Sequence, residues 1–417
     1  MTFVSQHQPF IGFIWHFLEK LVVGAPLMLL FQILPFWFAA YFLLRYLQYG
    51  FRVSLAVALL LCIWPTIFLM GGVIFKDTIA TNFIILGFTL LLRRRDDCHN
   101  ILRSGLCGVA LGIACLCRYQ YAVVLIPALM AVWLQAKETS APANRPVALS
   151  LVLVVTFLLT IAGTNVIIAT YSKVGTDNLG ANLQRLMIYD LAGILKHEPN
   201  ANFDVLERAQ IDTEKLKSML EKNYRADRVD PIIYDALGVR DNGERYVNIL
   251  PGADLKLLTN QWLETVQQYP RAWLMHHLAS FEYLLNLRKP YACWAHYPPV
   301  SIHPPEIVTK LKLETRMTPL SLPLTDIGKW PTPLAVFLRH WIGLAVCAAA
   351  AGILIFGRAK SPPILGLSTA CLLFSLTFFV FNMACDARYL YLVSAALPFI
   401  LIVLLDNFRR PLVNAGI

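Results

Sequence analysis

Four short stretches of this chain hold groups able to grip an anion or move a proton. Lys76-Asp77 falls within Gly71-Gly-Val-Ile-Phe-Lys-Asp-Thr-Ile-Ala80, and Arg118 is followed by Tyr119 and Gln120. Asp386 and Arg388 precede Tyr389 and Tyr391, and Arg339 stands beside His340. Arginine's planar fork binds phosphate oxygens in pairs, lysine adds a compact point charge, and a carboxylate can take a proton from a hydroxyl. Each stretch also has an ordinary explanation. Lys76 and Asp77 could solvate a turn, Asp386 and Arg388 could neutralise each other, and Arg118 and Arg339 could snorkel to lipid headgroups.

These groups stand in a chain with very little charge. Of 417 residues, 57% are hydrophobic and only 15% charged, with mean hydropathy +0.57, which excludes an ordinary soluble protein. Apolar runs of about 20 residues recur, the length that crosses a hydrocarbon core of roughly 30 Å. The net charge is +10, yet 19 Lys+Arg and 19 Asp+Glu cancel between Tyr171 and Pro331, so all the surplus lies among the apolar segments. That placement suits cytoplasmic anchoring and gives no reason to expect nucleic acid. The nine Cys are scattered, and neither a disulfide nor a zinc framework is legible.

The reading is an all-α polytopic membrane protein with nine spans near 22–44, 53–73, 78–92, 102–118, 120–136, 147–169, 333–356, 362–384 and 387–406. Alternate loops hold Arg45, Arg52, Arg93, Arg94, Arg95, Arg103, Lys137, Arg145, Arg358, Lys360, Arg409 and Arg410, and are expected in the cytoplasm. On this topology Lys76, Arg118, Arg339 and Arg388 share the opposite, outer boundary with Asp77 and Asp386. A site there for an anionic, lipid-anchored molecule accounts for the asymmetry. The expected organisation is an outer loop and juxtamembrane helix over 1–21, a six-helix membrane region over 22–169 and a mainly helical extracytoplasmic domain over 170–332. A three-helix membrane region over 333–406 and a cytoplasmic tail over 407–417 follow. The apolar face of Phe10, Phe13, Phe17 and Leu21 fits either an interfacial helix or an extension of the first span. An odd span count with a cytoplasmic C-terminus, and no basic leader in Met1 to Glu19, leads us to expect a missing first span, with a chain whose N-terminus lies outside as the alternative.

At these residues the chain resembles the GT-C class of polyprenyl-phosphate-sugar-dependent glycosyltransferases, among them protein O-mannosyltransferases and the aminoarabinose transferase of lipid A. Phe75-Lys-Asp-Thr-Ile-Ala-Thr-Asn-Phe83 is similar to the Asp-bearing second outer turn of that class. Arg118-Tyr-Gln followed by Pro127, and Arg388-Tyr followed by Pro398, resemble its Arg hinges. The six-plus-three split around an outer domain resembles its layout. Tyr189-Asp-Leu-Ala192 and Tyr269-Pro-X-X-Trp-Leu-X-His-His277 are similar to pieces of bacterial glycosyltransferases, without an assigned mechanism. Ser5-Gln-His-Gln-Pro9, with His7, resembles the element after the class's first-loop carboxylate, but nothing acidic precedes Glu19. One N-terminal truncation would explain both this gap and the missing span.

The resemblance implies inverting transfer of a sugar from a polyprenyl phosphate to a glycolipid, surface polysaccharide or protein acceptor at the bacterial cell membrane, as in lipopolysaccharide assembly. Arg118 and Arg388 would hold the donor phosphate, with Lys76 and Arg339 as weaker candidates. Asp77 would act as base, metal partner or support. His7, Tyr119, Gln120, Asp386, Tyr389, Tyr189 and Asp190 are candidates for acceptor contact or support. A divalent ion could sit on Asp77, His7 or the outer-domain histidines, but no ligand spacing supports it. His276 and His277 are neighbours, about 100° apart on a helix, and are expected not to share an ion. The competing classes are a surface-glycan polymerase or ligase, a non-catalytic paralogue that binds lipid-linked sugar, and a transporter. The transporter would need polar groups at mid-membrane, where only Gln32, Thr156 and Thr160 stand out.

Overall fold

The computed structural model describes residues 2–3, 9–92, 100–138, 144–171, 173–174, 178–237, 250, 253–287, 339–357 and 361–414. Apart from a two-residue parallel ladder, Thr2–Phe3 (β1) with Lys173–Val174 (β2), the described structure is helical. It divides into two compact units. The small unit comprises Met1–Pro9, Ala169–Trp294 and Thr377–Asp386, and the large unit Phe10–Ile168, Ala295–Leu376 and Ala387–Ile417.

The large unit opens with α1 (Pro9–Leu21), which buries Phe10 and Phe13 and leaves Leu21 exposed. Gly24, at φ 98°, separates it from α2 (Pro26–Leu47), so α1 is a helix of its own and not an extension of the first span. The expected span over 53–73 is broken. Trp64 takes the extended conformation that a following proline imposes, dividing α3 (Phe51–Ile63) from α4 (Pro65–Gly71). The α5 helix (Lys76–Leu91) is buried along almost its whole length against α2, α6 (Asn100–Cys117) and α16 (Tyr391–Asn414). Its 16 residues rise only about 24 Å.

A 3₁₀ turn (Tyr119–Val124) leads into α7 (Leu125–Glu138), and α8 (Asn144–Tyr171) follows. Gly105, Gly108 and Gly112 let α6 approach α8 closely. A Cβ on Gly108 would run into the Thr156 hydroxyl and the Leu153 carbonyl, and one on Gly112 would lie 2.8 Å from Thr160 Cβ. The unit also contains α14 (His340–Phe356), most of α15 (Pro362–Phe381) and α16. Five described helices are long and apolar enough to cross a membrane: Pro26–Leu47, Tyr119–Glu138, Asn144–Tyr171, Pro362–Phe381 and Arg388–Arg409. Phe51–Ile63, Ile101–Cys117 and His340–Phe356 are apolar but shorter. Large apolar side chains stand exposed along α8, among them Leu151, Leu158, Leu159 and Val166, as expected of a lipid-facing helix.

The small unit is built on α9 (Asn178–His197), whose Ile188, Leu191, Ile194 and Leu195 enter a core with Phe203, Leu206, Leu220, Ile232, Leu258 and Ala272. Around it lie α10 (Asp204–Arg208), α11 (Thr213–Asn223), a π turn (Pro231–Ala236), α12 (Leu255–Gln268) and α13 (Pro270–Leu284). Asp212 and Asp254 cap α11 and α12 by accepting from Lys215 N and Leu257 N. Gln261 Oε1 accepts from Val205 N and Leu206 N at the start of α10. The expected boundary of this domain, 170–332, misses a C-terminal strap. Met383 O accepts from Val229 N at 2.8 Å, Cys385 N donates to Asp227 O at 2.7 Å, and Asn382 Nδ2 donates to Ser280 Oγ at 2.8 Å. Cys385 is disulfide-bonded, a pairing that the spacing of the cysteines did not make legible. The other described cysteines are free.

Candidate functional site

Three turns far apart in sequence meet in the large unit. The first is set by Gln32 on α2, whose Nε2 donates to Gly71 O and Val73 O at 3.1 and 3.0 Å while its Oε1 accepts from Phe75 N at 3.1 Å. Asn82 Nδ2 in turn donates to Gln32 O at 2.8 Å, tying α5 to α2. This clamp fixes residues 71–75 and therefore where α5 begins, with Lys76 and Asp77 in its first turn. Asp77 is wholly buried, and its Oδ1 accepts from Arg118 Nη1 at 2.7 Å. Its Oδ2 accepts no hydrogen bond among the described residues.

The Arg118 guanidinium also lies over the Tyr389 ring at 4.7 Å. Arg388 lies 5.2 Å over Phe75 and 5.5 Å over Tyr389, so the third turn packs on the first two. Lys76 is within electrostatic range of Asp77, Arg118 and Arg388. Lys76 and Asp77 open α5, Arg118 precedes the turn into α7, and Arg388 lies in the 3₁₀ turn Ala387–Leu390 before α16. Lys76 therefore stands in the first turn of α5, whose partial positive charge favours an anion, whereas Arg118 lies between the carboxyl end of α6 and the turn into α7. The expected grouping of Lys76, Asp77, Arg118, Arg388 and Tyr389 is present. Asp77 is an ion-pair partner holding Arg118 in place, and not an exposed carboxylate.

Arg339 is placed differently. With His340 it lines a cavity of about 130 Å³ bounded by Trp64, Gly343, Val393 and Leu397. Tyr119 is exposed, Gln120 is partly buried, and Asp386 is buried in the small unit. His7 lies outside the described residues. A cavity of about 610 Å³ opens near Arg45, Tyr49 and Arg103, roughly 20 Å along α2 from Gln32 at 1.5 Å per residue. It contains none of the clustered groups, so the converging charges mark the candidate site better than volume does.

The polar groups a transporter would need are used internally. Gln32 holds the 71–75 turn, Thr156 donates to Val152 O at 2.8 Å, and Thr160 donates to Thr156 O at 2.7 Å. The clamp made by Gln32 leaves no mark in the sequence beyond a polar residue in a span, and Asp406, buried in α16 and accepting from Tyr49 Oη at 3.0 Å, is a further polar group that the sequence pattern does not single out.

Tyr189 and Asp190 lie in the small unit and are buried, which suits support and not contact with an acceptor. Tyr189 Oη donates to Arg225 O at 2.9 Å. Asp190 Oδ2 accepts from the indoles of Trp262 and Trp273 at 2.8 and 3.0 Å. The two histidines do not diverge as expected, because both rings turn toward Asp190. His276 Nε2 lies 3.5 Å and His277 Nε2 3.3 Å from Asp190 Oδ1. Burial opposes ionisation of Asp190, and the two imidazoles facing it outweigh that, holding the carboxyl down at about 2. Burial pushes the His276 imidazole below its usual value against the pull of Asp190, and pushes the Tyr224 phenol up. No protein-family model, curated protein or solved structure matches the chain.

Proposed function

We propose that the chain is an integral-membrane glycosyltransferase that moves a sugar from a polyprenyl-phosphate donor to an extracytoplasmic acceptor. The observation that carries this reading is the convergence of Lys76, Arg118 and Arg388, from three distant turns, about Asp77 and Tyr389. Positive charge held within an apolar unit suits a phosphate whose lipid tail remains in hydrocarbon. In the reaction, the acceptor oxygen bonds to the anomeric carbon as that carbon's bond to the phosphate oxygen breaks. The proton of the acceptor hydroxyl passes, directly or through water, to the departing phosphate, and the polyprenyl phosphate leaves as an anion that Arg118, Arg388 and Lys76 stabilise. Asp77 orients Arg118. Nine spans with the small unit outside a bacterial cell membrane complete the proposal, and the disulfide at Cys385 supports an oxidising compartment for that unit.

The test is binding and transfer by the full-length protein in lipid nanodiscs, with polyprenyl phosphate, its sugar adduct and the uncharged polyprenol as ligands. We expect the phosphate to bind at least tenfold more tightly than the polyprenol, a margin equal to one charge-assisted hydrogen bond of about 1.5 kcal/mol. Arg388→Ala should erase that margin. Equal affinity for the two lipids would reject the donor site. The engagement of Asp77 by Arg118 favours one other reading, a donor-binding protein without transfer. It would retain the phosphate preference and release no sugar to any acceptor.

A further inference from the structure

We propose that Asp190, His276 and His277 in the small unit form a closed site for one divalent transition-metal ion, with zinc the best match. The proposal does not depend on the donor site, which lies in the other unit. One ligand atom from each of the three side chains lies within 4.8 Å of the others, and all three residues are buried. The separations of Asp190 Oδ1 from the imidazole nitrogens are 3.3 and 3.5 Å. Direct hydrogen bonds in proteins run about 2.7–3.2 Å. By contrast, the edge of a tetrahedron with metal–ligand bonds near 2.05 Å is about 3.4 Å. The two carboxylate–imidazole edges match ligands sharing an ion, and the imidazole–imidazole edge is no longer than 4.8 Å. Asp190 Oδ1, His276 Nε2 and His277 Nε2 also have no hydrogen-bond partner among the described residues, although all are buried.

The surrounding groups aim two of these three atoms, those of Asp190 and His276, inward. Asp190 Oδ2 is occupied by the Trp262 and Trp273 indoles, which leaves Oδ1 as the free acceptor. His276 Nδ1 is 2.9 Å from Tyr224 Oη. If that nitrogen carries the proton, the Nε2 lone pair faces the cluster, the arrangement in which a second-sphere partner fixes a ligating histidine. Gly193 follows Asp190 by about one helical turn, and a Cβ there would collide with the His276 ring, so the glycine makes room for the imidazole against α9. Two imidazoles and one carboxylate are a borderline donor set that suits zinc and disfavours magnesium or calcium. A water molecule would fill the fourth position. Because the ligands are inaccessible, the assigned role is structural, fastening α13 to α9.

The experiment uses the full-length protein purified in detergent. Metal content is measured by plasma mass spectrometry as isolated, and again after stripping with a chelator and reloading with Zn²⁺ alone. Reloading with Co²⁺ alone adds a visible d–d spectrum that reports tetrahedral coordination. We expect about one Zn²⁺ per chain, with Asp190→Asn and His277→Ala retaining less than roughly a tenth of it. Tyr224→Phe should weaken affinity about tenfold by removing the support of His276. His197→Ala, on the exposed end of α9, should bind as the wild type does. A wild-type chain that takes up neither Zn²⁺ nor Co²⁺ in stoichiometric amount overturns the site. So does a folded Asp190→Asn variant with wild-type metal content. The wild-type measurement decides the matter even if a variant fails to fold.

Discussion

Arg118 and Asp77 allow the stability of the large unit to be separated from the phosphate binding proposed for it. Asp77 has no exposed side-chain surface, and Arg118 has 16%. Replacing Arg118 with Ala would leave a buried carboxylate without its counterion, a change that costs about 3–5 kcal/mol. Asp77→Asn is milder, about 1–3 kcal/mol, because Arg118 retains some solvent and the face of Tyr389. In the double variant Asp77→Asn/Arg118→Gln both charges are gone and the amides can still pair, so stability should return to within about 1–2 kcal/mol of wild type. Unfolding of wild type, Asp77→Asn, Arg118→Gln and the double variant in detergent micelles, followed by steric trapping, would give the four free energies and a coupling of about 2 kcal/mol or more. Phosphate-lipid binding should not return with stability. The double variant lacks the Arg118 fork and should bind polyprenyl phosphate about 10- to 100-fold more weakly. A stable Arg118→Ala protein, within about 0.5 kcal/mol of wild type, would show that the pair is not shielded from water. Wild-type affinity in the double variant would remove Arg118 from the donor site.

Gln32→Leu should cost about 2–4 kcal/mol, because Gly71 O, Val73 O and Phe75 N lose their partner at once; amide exchange should speed up at 73–77 before it does in α8. Gly112→Val should separate α6 from α8, since even a Cβ would come 2.8 Å from Thr160 Cβ, with an overpacking cost of about 1–3 kcal/mol read as a lower melting temperature in micelles. Gly193→Ala should drive the His276 ring away from α9 at a similar cost of about 1–3 kcal/mol, and protease nicking confined to the small unit would report it.

The cluster of the large unit was legible because its members are ionisable groups in an apolar chain, where each such residue stands out. Lys76, Asp77, Arg118, Arg388 and Tyr389 could be grouped from sequence through the topology alone. Arg339 could not be separated from them, because its location depends on how α14 packs beside Trp64 and Val393. Gln32 looked like a lone polar group in a span, and only tertiary structure shows that its amide serves three backbone groups of a turn some 40 residues onward. The break at Trp64-Pro65 was in reach of the proline rule and was missed because hydropathy runs through it unbroken. The histidine pair was misjudged because a helical wheel gives the direction of Cβ only. Two adjacent imidazoles can swing their Nε2 atoms back to one carboxylate when a glycine on the facing helix leaves space. The strap at 382–385 was hidden because its chain continues directly from an apolar helix.

The construction of the cluster bears on how an anion would be held there. Gln32 holds the 71–75 turn, that turn places Lys76 and Asp77, Asp77 holds Arg118, and Arg118 stacks on Tyr389 beside Arg388. The links from Asp77 to Arg118, from Arg118 to Tyr389 and from Arg388 to Phe75 are contacts between side chains from different turns, so the two arginines cannot move away without breaking an ion pair or a stacked ring. Like charges are thereby kept close in the protein before any ligand arrives, and the repulsion between them is already contained in the folding free energy. A phosphate entering such a site would relieve that repulsion without first having to gather Arg118 and Arg388, so less of its Coulomb gain would be spent on the conformational entropy of those side chains. A flexible set of surface arginines would have to lose side-chain freedom at each contact. The same rigidity limits the ligand, because guanidinium groups fixed on two rings and one carboxylate can match only an anion small enough to meet them together. A phosphoester meets that condition, whereas a carboxylate-bearing sugar would reach fewer of the cations at once.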